Sequence, residues 1–449
     1  MKYELMNYEK WAEDDWRGVD FGDARLNSRA ISIAADFMRN PFFSPPKIFR
    51  SHDKLKAFYR FVNSDKVTHR VIISKHTANT KTKMLNNNIV LAVQDSTTIT
   101  LKRNYEIEGL YDVGNIPGVV VQNTIAVTPS ETYGSIEGLL QQTILRRKPK
   151  YQRTSDDSEI TLWTESIKAQ GEPPIGTTIV DVMDRGADAL EVMHCSLDNK
   201  HEFLIRARSN RYVNEKGYRY LFEFGRALPT VEYTALEIKG NEVRKKRTAK
   251  LRIAFSSLHI DTPKNKPRLL PLHCNLIHAL EVNPPQGEEP LEWFLLTSLD
   301  VKNCSDALEK IKWYSYRWII EEYHKCLKTG FRLEKTQLQT LKAIESLLGL
   351  ISVAAVKLLQ LRDIVRVDPE GNALEYVDKE DIQIAKAYYH VVDENITIDR
   401  FLRLIAKMGG FLNRKGDGNP GWQSLWEGWK FFMGLKDGVK LQREGGICG

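Results

Sequence analysis

Three acidic residues in separate parts of the chain carry the strongest chemical signal. Asp95 and Asp184 each come directly after a short, β-branched apolar run, and Glu321 lies in a segment without Gly or Pro that is typical of a helix. Polar groups just past strand ends line the functional edge of α/β sheets, and a helix can present a carboxylate to the same point. Three carboxylates around one point repel each other unless cations neutralise them. The pattern therefore predicts a site for Mg²⁺ or Mn²⁺, ions that activate water or hydroxyl in phosphoryl transfer.

The segment around Glu321 divides into two faces on a helical wheel. Without Gly or Pro, residues 313–328 indicate one continuous helix. Tyr314, Arg317, Glu321 and Lys328 fall within a sector of roughly 60° at 100° per residue. The opposite stripe is apolar and predicts the packed side: Trp313, Tyr316, Ile320, Tyr323 and Leu327. A phenol, a guanidinium and an ammonium beside a carboxylate are suited to holding phosphate oxygens near a metal.

Each of these residues also has an ordinary explanation. Arg317 and Glu321 could form a helical ion pair on a solvated face. An Asp after a strand is more often a turn former or a helix cap, and Asp188 is a close alternative to Asp184. Glu322 points about 100° away from Glu321, so only Glu321 shares the face with the cations. The combination is rarer than its parts and favours the functional interpretation.

Composition sets broad limits on the class of protein. The chain has 449 residues, 42% hydrophobic and 27% charged, with a net charge of +7, which is compatible with a nucleic-acid partner. Its five Cys are an odd number without a C-x-x-C pair, which argues for a reducing compartment. The longest apolar run, 347–356, is shorter than the roughly 18 residues of a membrane span. The first residues lack a signal-peptide core, so we expect a cytoplasmic protein.

The order of patterns predicts three regions. Residues 1–70 are expected to be helical, 71–371 to form a mixed α/β sheet with a β-rich insertion at about 231–300, and 372–449 to be helical. Three basic clusters, at 146–150, 244–247 and 264–268, are candidates for contacts with DNA. In the tail, Trp422, Trp426 and Trp429 form an apolar face that is as suited to a partner chain as to its own protein.

The spacing Tyr314-x2-Arg317-x3-Glu321-x6-Lys328 matches the Y-R-E-K signature of the insertion-sequence-four family of DDE transposases, which the chain resembles over nearly its whole length. Further matching segments are Phe21-Gly22-Asp23, Lys56-Ala57-Phe58-Tyr59-Arg60-Phe61, Asp95-Ser96-Thr97-Thr98, Asp184-Arg185-x-Ala187-Asp188, Trp293-x-Leu295-Leu296-Thr297-Ser298 and Leu425-Trp426-Glu427-Gly428-Trp429. The chain departs from the family pattern at Gly186, after the second Asp. It also departs around Pro41–Pro46 in the N-terminal segment, so the DNA-end sequence that it reads should differ.

The resemblance implies an RNase H-like catalytic core in which Asp95, Asp184 and Glu321 bind Mg²⁺, with Mn²⁺ as a possible substitute. It also implies an N-terminal domain that reads transposon ends and a C-terminal dimerisation domain. By position, the residues that match DNA contacts are Arg25, Arg29, Arg39 and Arg60 at the ends and Arg206, Tyr314, Arg317 and Lys328 near the cleavage point. Trp293 matches an aromatic residue associated with a flipped base. Without the resemblance, a core position on an apolar strand is the better interpretation of Trp293.

The predicted function is therefore a cut-and-paste DNA transposase that acts as a homodimer on double-stranded DNA, in the cytoplasm and at the nucleoid of a bacterium. The expected steps are nicking, formation of a hairpin and joining of the 3′-hydroxyl to target DNA. Three alternatives remain: an RNase H-like nuclease without strand transfer, a domesticated DNA-binding protein and, from the paired acids alone, a glycosidase. The intact acids argue against the second, and the third leaves Arg317 and Lys328 unexplained.

Overall fold

A mixed β-sheet runs through the middle of the chain. The computed structural model describes residues 8–445, apart from 103–104, 114, 131–133, 147, 149, 153, 155–157, 216 and 239–246. The sheet has twelve strands. Their bounds are β1 Ile89–Thr100, β2 Tyr111–Asp112, β3 Pro117–Thr128, β4 Ser135–Leu145, β5 Thr178–Met183, β6 Glu202–Arg206, β7 Tyr212–Glu215, β8 Tyr218–Tyr220, β9 Glu232–Ile238, β10 Arg247–Ile260, β11 Leu272–Glu281 and β12 Glu292–Thr297.

Helices precede the sheet, cover it and follow it. The expected mixed α/β architecture with helical regions at both ends is confirmed. The helices are α1 Tyr8–Trp16, α2 Ala24–Arg39, α3 Pro45–Ile48, α4 His52–Val62, α5 His69–Met84, α6 Glu159–Gln170, α7 Leu190–Asp198, α8 Leu221–Ala227, α9 Cys304–Ser315, α10 Trp318–Lys325, α11 Leu341–Val367, α12 Lys379–Tyr388, α13 Ile398–Met408 and α14 Trp422–Gly445.

The order of strands in the sheet is β2-β3-β1-β5-β6-β12-β11-β10-β7-β8, with β4 on β3 and β9 on β10. Pairing is parallel between β1 and β5 and between β5 and β6, and antiparallel from β6 to β12 onward. The β-rich insertion expected at about 231–300 consists of strands that extend the same sheet, because β12 pairs with β6 on one edge and with β11 on the other. Two short strands, β7 and β8, also lie before residue 231, where the β-rich region was expected to begin.

One long apolar helix lies in the core. Among the described residues, 341–366 is the one stretch long and apolar enough to cross a membrane by length and composition, and 72% of its most apolar window is buried inside the protein. This helix, α11, contacts α5, β4, α4 and α2. Its apolar surface is therefore satisfied within the fold, as in the central helix of a large domain.

The tryptophan face of the tail packs on its own chain. Trp422 and Trp426 are 9% and 2% exposed. The ring of Trp426 lies 5.6 Å from that of Phe42, in the loop after α2. An ion pair of 2.6 Å joins Arg50 to Asp437 of α14. The sequence left open whether this tryptophan face meets a partner chain or its own protein. In the structure it is buried between the N-terminal helices and the core.

Two glycines allow α13 and α14 to cross closely. A Cβ atom on Gly428 would overlap the carbonyl oxygen of Ile405, and one on Gly409 would overlap that of Ser424. Backbone therefore meets backbone at this crossing, and any side chain would push the helices apart. Elsewhere on α14, Gly434 has nothing within 4 Å of the equivalent position.

Gly428→Ala should lower the free energy of unfolding of the C-terminal region, because the two helices must separate or strain. The expected loss is roughly 1 to 3 kcal/mol. Gly434→Ala is the matched control and should be neutral or stabilising by up to about 1 kcal/mol through helix propensity. Urea unfolding followed by circular dichroism measures both. Equal midpoints for the two variants would contradict the crossing geometry.

Candidate active site

The register of two parallel strands brings the first two acids side by side. β1 and β5 pair Ile89 with Thr178 and Val93 with Val182. Two residues further along that register, Asp95 stands beside Asp184. The prediction that Asp95 follows the end of its strand was wrong: β1 continues to Thr100, because antiparallel pairing with β3 holds it there. β5 ends at Met183, so Asp95 lies where the parallel pairing stops.

The segment that carries Glu321 is not the single continuous helix expected from its sequence. α9 ends at Ser315 and α10 begins at Trp318. Between them the N–H groups of Tyr316 and Arg317 bond to carbonyls three residues back, at 3.1 Å each, which tightens the chain locally. Tyr316 is buried and its hydroxyl donates to the carbonyl of Ser130 at 3.2 Å. This tertiary contact holds a turn for which the sequence contains no Gly or Pro.

After α10 the chain widens into one π-helical turn, Cys326–Gly330, which carries Lys328. Such turns recur at functional sites because they alter which side chains share a face. The apolar stripe predicted on this segment is confirmed, since its members are at most 5% exposed: Trp313, Tyr316, Ile320, Tyr323 and Leu327.

Arg317 joins two of the acids. Its Nη1 donates to Oδ2 of Asp95 at 3.0 Å, and its Nη2 pairs with the carboxylate of Glu321. Burial alone would lower the pKa of Arg317, but Tyr314 and the three acids, Asp184 included, raise it above its ordinary value. One guanidinium therefore pairs with Asp95 and Glu321 and lies near the charge of Asp184, and the helical ion pair considered from the sequence is part of a larger cluster.

The clustered negative charge changes the pKa of Asp95. Burial and the neighbouring carboxylate of Asp184, with a smaller effect of Glu321, raise the pKa of Asp95 to about 7. Arg317 and the N–H of Ser96, which donates to Oδ1 at 2.8 Å, act in the opposite direction. A cation bound at this point would relieve the repulsion.

The alternatives to the chosen acids have structural roles. Asp188 accepts the N–H groups of Arg208 and Ser209 at 2.7 and 2.8 Å and pairs with Arg211. Glu322 turns away from the acid cluster and pairs with the buried Arg362.

Tyr314, Trp293 and Arg206 form a second group beside Arg317. Tyr314 is 4% exposed, because the ring of Trp293 packs edge-on against it at 5.0 Å, so the wheel was wrong in presenting this phenol on an open face. Arg206 donates to the carbonyl of Glu292 at 2.9 Å. Burial, with the nearby cations Arg185 and Arg317, lowers the pKa of Arg206, although Tyr314 opposes this effect.

A buried polar network behind α10 was missed by sequence reasoning. His324 is 8% exposed, and burial with nearby Lys328 and Arg317 lowers its pKa to about 3. The neutral ring accepts a hydrogen bond from Nδ2 of Asn123 on β3, at 3.0 Å. Asn123 in turn accepts from Gln142 of β4 at 2.5 Å. The available signal was the polar run Gln122-Asn123-Thr124 inside an otherwise apolar strand.

The arginines predicted to contact DNA ends lie on α2 and α4. Arg25 and Arg29 line one groove of this surface, and Arg60 is exposed on the neighbouring helix. Arg25 pairs with Asp23 at 3.3 Å but stays largely exposed, whereas Arg39 is more buried and its guanidinium pairs with both Glu9 and Asp36 in the DNA-free protein. A contact of Arg39 with DNA would have to replace those pairs.

In each of the three basic clusters, one described cation already pairs with an acidic residue of the protein. In the first, Arg146 pairs with Glu345 at 2.7 Å, and residues 147 and 149 lie outside the described residues. Of the second, only Arg247 is described; it is 10% exposed and pairs with Glu281 and Glu288, so it is structural. In the third, Lys266 pairs with Glu191.

The three acids have the ligand chemistry that a hard divalent cation prefers, but their side chains are not arranged as a metal site in this structure. All three are carboxylates, the ligand type that Mg²⁺ and Mn²⁺ prefer. Within the described ranges, no group of three His, Cys, Asp or Glu side chains is already disposed as a metal site. Instead, the guanidinium of Arg317 occupies the position between the carboxylates of Asp95 and Glu321.

Asp95→Asn should stabilise the metal-free protein at high pH. An acid whose pKa is raised on folding loses stability as pH climbs from its unfolded value, near 3.9, to its folded value near 7. The gain from removing this charge should therefore be small at about pH 4 and reach roughly 1 to 3 kcal/mol by about pH 8. Glu322→Gln is the control and should destabilise at both, since it removes one of the two carboxylates that pair with Arg362. Thermal melts across pH measure this, and a pH-independent Asp95→Asn effect would refute it.

Comparison with known families matches three regions of the chain. Residues 8–67 match a family model described as transposase DNA-binding. Residues 153–357, which include Asp184 and Glu321, match a transposase DDE domain, whose fold is RNase H-like. Residues 353–447 match a transposase Tn5 dimerisation domain. The resemblance found in the sequence is thereby confirmed. The chain belongs to the DDE transposases and resembles the Tn5 transposase in its DNA-binding, catalytic and dimerisation regions.

Proposed function

We propose that this transposase moves DNA by a cut-and-paste route. It binds the inverted-repeat ends as a homodimer, nicks one strand, forms a hairpin at the opposite strand, reopens it with water and joins the 3′-hydroxyl to target DNA. The single observation that carries the chemistry is the alignment of Asp95 with Asp184 on adjacent parallel strands, with Glu321 coupled to both through Arg317. Such work on DNA belongs in the cytoplasm, at the nucleoid.

Asp95, Asp184 and Glu321 are the proposed ligands of Mg²⁺, for which Mn²⁺ can substitute. When bound, two such ions supply activation of the attacking water or hydroxyl and stabilisation of the leaving oxygen. The chain contributes rigid placement. Asp95 and Asp184 sit at the end of a buried parallel pairing, while Glu321, with a side chain 56% exposed, faces the open side where DNA approaches.

The cations beside the acids are proposed to hold the phosphates next to the cleavage point. Arg317 and Lys328 lie on the same segment of chain as Glu321. Arg206 lies near the cations Arg185 and Arg317, so a bound anion would offset the positive charge around it. Tyr314, buried behind them, orients Arg206 and Arg317. Trp293 is half-buried and keeps an accessible part, which suits stacking on an extruded base.

The ends of the chain are proposed to serve recognition and assembly. Residues 1–70 would read the DNA end, 71–371 would hold the catalytic core with its β extension at about 231–300, and 372–449 would dimerise. A pair of ends bound by a dimer explains why all three regions occur in one chain.

A strand-transfer assay tests the chemistry. The protein, Mg²⁺, a donor with the element's own ends and a target plasmid should yield joined products. Asp95→Ala, Asp184→Ala and Glu321→Ala should each lower the rate by at least about 10³-fold while end binding persists, because each removes a ligand of the metal. Asp188→Ala is a poor control because it is structural; Lys325→Ala, exposed on the same helix, is the suitable one.

The outcomes separate the rival functions. Cleavage without joining would leave a nuclease, and binding without cleavage would leave a DNA-binding protein. Retained cleavage in any of the three acid variants would refute the assignment of the acids.

Salt dependence tests the end-binding surface. Arg60→Ala should lower the slope of log K against log salt by about one, since one phosphate contact is lost. Arg39→Ala is the matched comparison on the same surface. Because Arg39 is paired with Glu9 and Asp36, its removal should change the slope less and the melting temperature more. Fluorescence anisotropy with labelled duplex gives both slopes, and an unchanged slope for Arg60→Ala would exclude that contact.

A further inference from the structure

The acid cluster already contains a cation, the guanidinium of Arg317. Nη1 lies 3.0 Å from Oδ2 of Asp95 and Nη2 pairs with Glu321, while the side chain of Arg317 is only 19% exposed. The fork of a guanidinium suits two carboxylates at once, as an ammonium does not. The position between these acids is the one that a divalent cation shared by them would take.

Both carboxylate oxygens of Asp95 are engaged. Oδ2 accepts from Arg317, and Oδ1 accepts from the backbone N–H of Ser96 at 2.8 Å. The Ser96 N–H belongs to the strand and stays in place. A metal ion held by oxygens of both Asp95 and Glu321 would take the place of the guanidinium, which lies between these two carboxylates. Metal and guanidinium compete for the same atoms.

A phosphate diester offers Arg317 another partner. Guanidinium binds phosphate and carboxylate in the same bidentate way. Lys328 and Arg206 are close enough to act electrostatically on the groups around Arg317, so an anion entering here meets several cations. When Arg317 turns to a phosphate, Asp95 and Glu321 lose their counter-ion, and their mutual repulsion then favours a divalent cation.

We propose that Arg317 is the resident cation of the three-acid site and that DNA phosphate, by withdrawing it, admits the catalytic metal. Metal loading then depends on DNA, which keeps a nuclease centre unloaded until substrate is present. This inference rests on the proposed metal role of the three acids. Since linkage is reciprocal, metal must strengthen DNA binding by the same factor by which DNA strengthens metal binding.

The first test is titration of DNA-free protein with Mn²⁺, read as free Mn²⁺ by electron paramagnetic resonance. Arg317→Ala should bind Mn²⁺ more tightly than wild type, by roughly 5- to 150-fold, the usual size of such couplings. Arg317→Lys, which keeps the charge and loses the fork, should lie between them. Lys325→Ala removes one positive charge from an exposed site on the same helix and should leave the affinity near wild type. Melting curves confirm that each variant is folded.

The second test adds a short duplex of unrelated sequence, with Mn²⁺ bound by the duplex alone subtracted. Duplex should tighten Mn²⁺ binding to wild type and to Lys325→Ala, and should have little effect on Arg317→Ala, whose acids are already free. The mirror measurement, anisotropy of labelled duplex with and without Mn²⁺, should give the same factor.

Each result has a distinct meaning. Equal Mn²⁺ affinity of DNA-free wild type and Arg317→Ala, with binding abolished by Glu321→Ala, would overturn the inference and leave the metal site standing. An equal gain in Lys325→Ala and Arg317→Ala would also overturn it, since charge alone would then account for the effect. Absence of Mn²⁺ binding in every variant, with and without DNA, would overturn the proposed metal site itself.

Discussion

Repulsion among three carboxylates is the constraint that the catalytic part of this chain must satisfy. Asp95 and Asp184 are fixed side by side by the register of two parallel strands, and a buried strand cannot shift to relieve the strain without moving every side chain to the wrong face. Glu321 adds a third charge from a helix. The raised pKa of Asp95 and the shared guanidinium of Arg317 are two responses to one problem. Under the proposed metal role, a divalent cation would be a third response to the same repulsion.

Buried hydrogen bonds hold the elements that carry the acids. Gln94 donates to Asp181 at 2.7 Å, which ties β1 to β5 directly beneath the aligned pair. On the other side, the bond from Asn123 to His324 ties β3 to the helix that carries Glu321. Satisfied polar contacts of this kind specify one arrangement where apolar packing would tolerate several. Buried polar residues behind the acids therefore help to fix the strands and the helix that carry them.

The sequence predicts the parts of the site that depend on local pattern. Strand-forming runs before the two Asp residues, and the helical phase that separates Glu321 from Glu322, follow from periodicity alone. Effects of tertiary contact could not be predicted. The break at Tyr316–Arg317 arises because a buried tyrosine reaches another loop, and Asp95 lies inside its strand because β3 extends the pairing. Partners distant in sequence, such as Asn123, leave only a weak trace: a polar residue in an apolar run. The merging of the β-rich segment with the central sheet depends likewise on strand pairing, which composition does not encode.

The chain immediately after the catalytic helix connects the three regions physically. Beyond Glu321 the π turn ends at Gly330, where an added Cβ would lie 3.1 Å from the ring of Trp426 in the last helix. The next residue, Phe331, packs 6.2 Å from Phe42 of the N-terminal region, and Phe42 also contacts Trp426. These aromatic contacts join the turn after Glu321 to the N-terminal region and to the last helix. The turn that follows Glu321 therefore packs against both flanking regions, so the surroundings of the third acid include residues outside the central sheet.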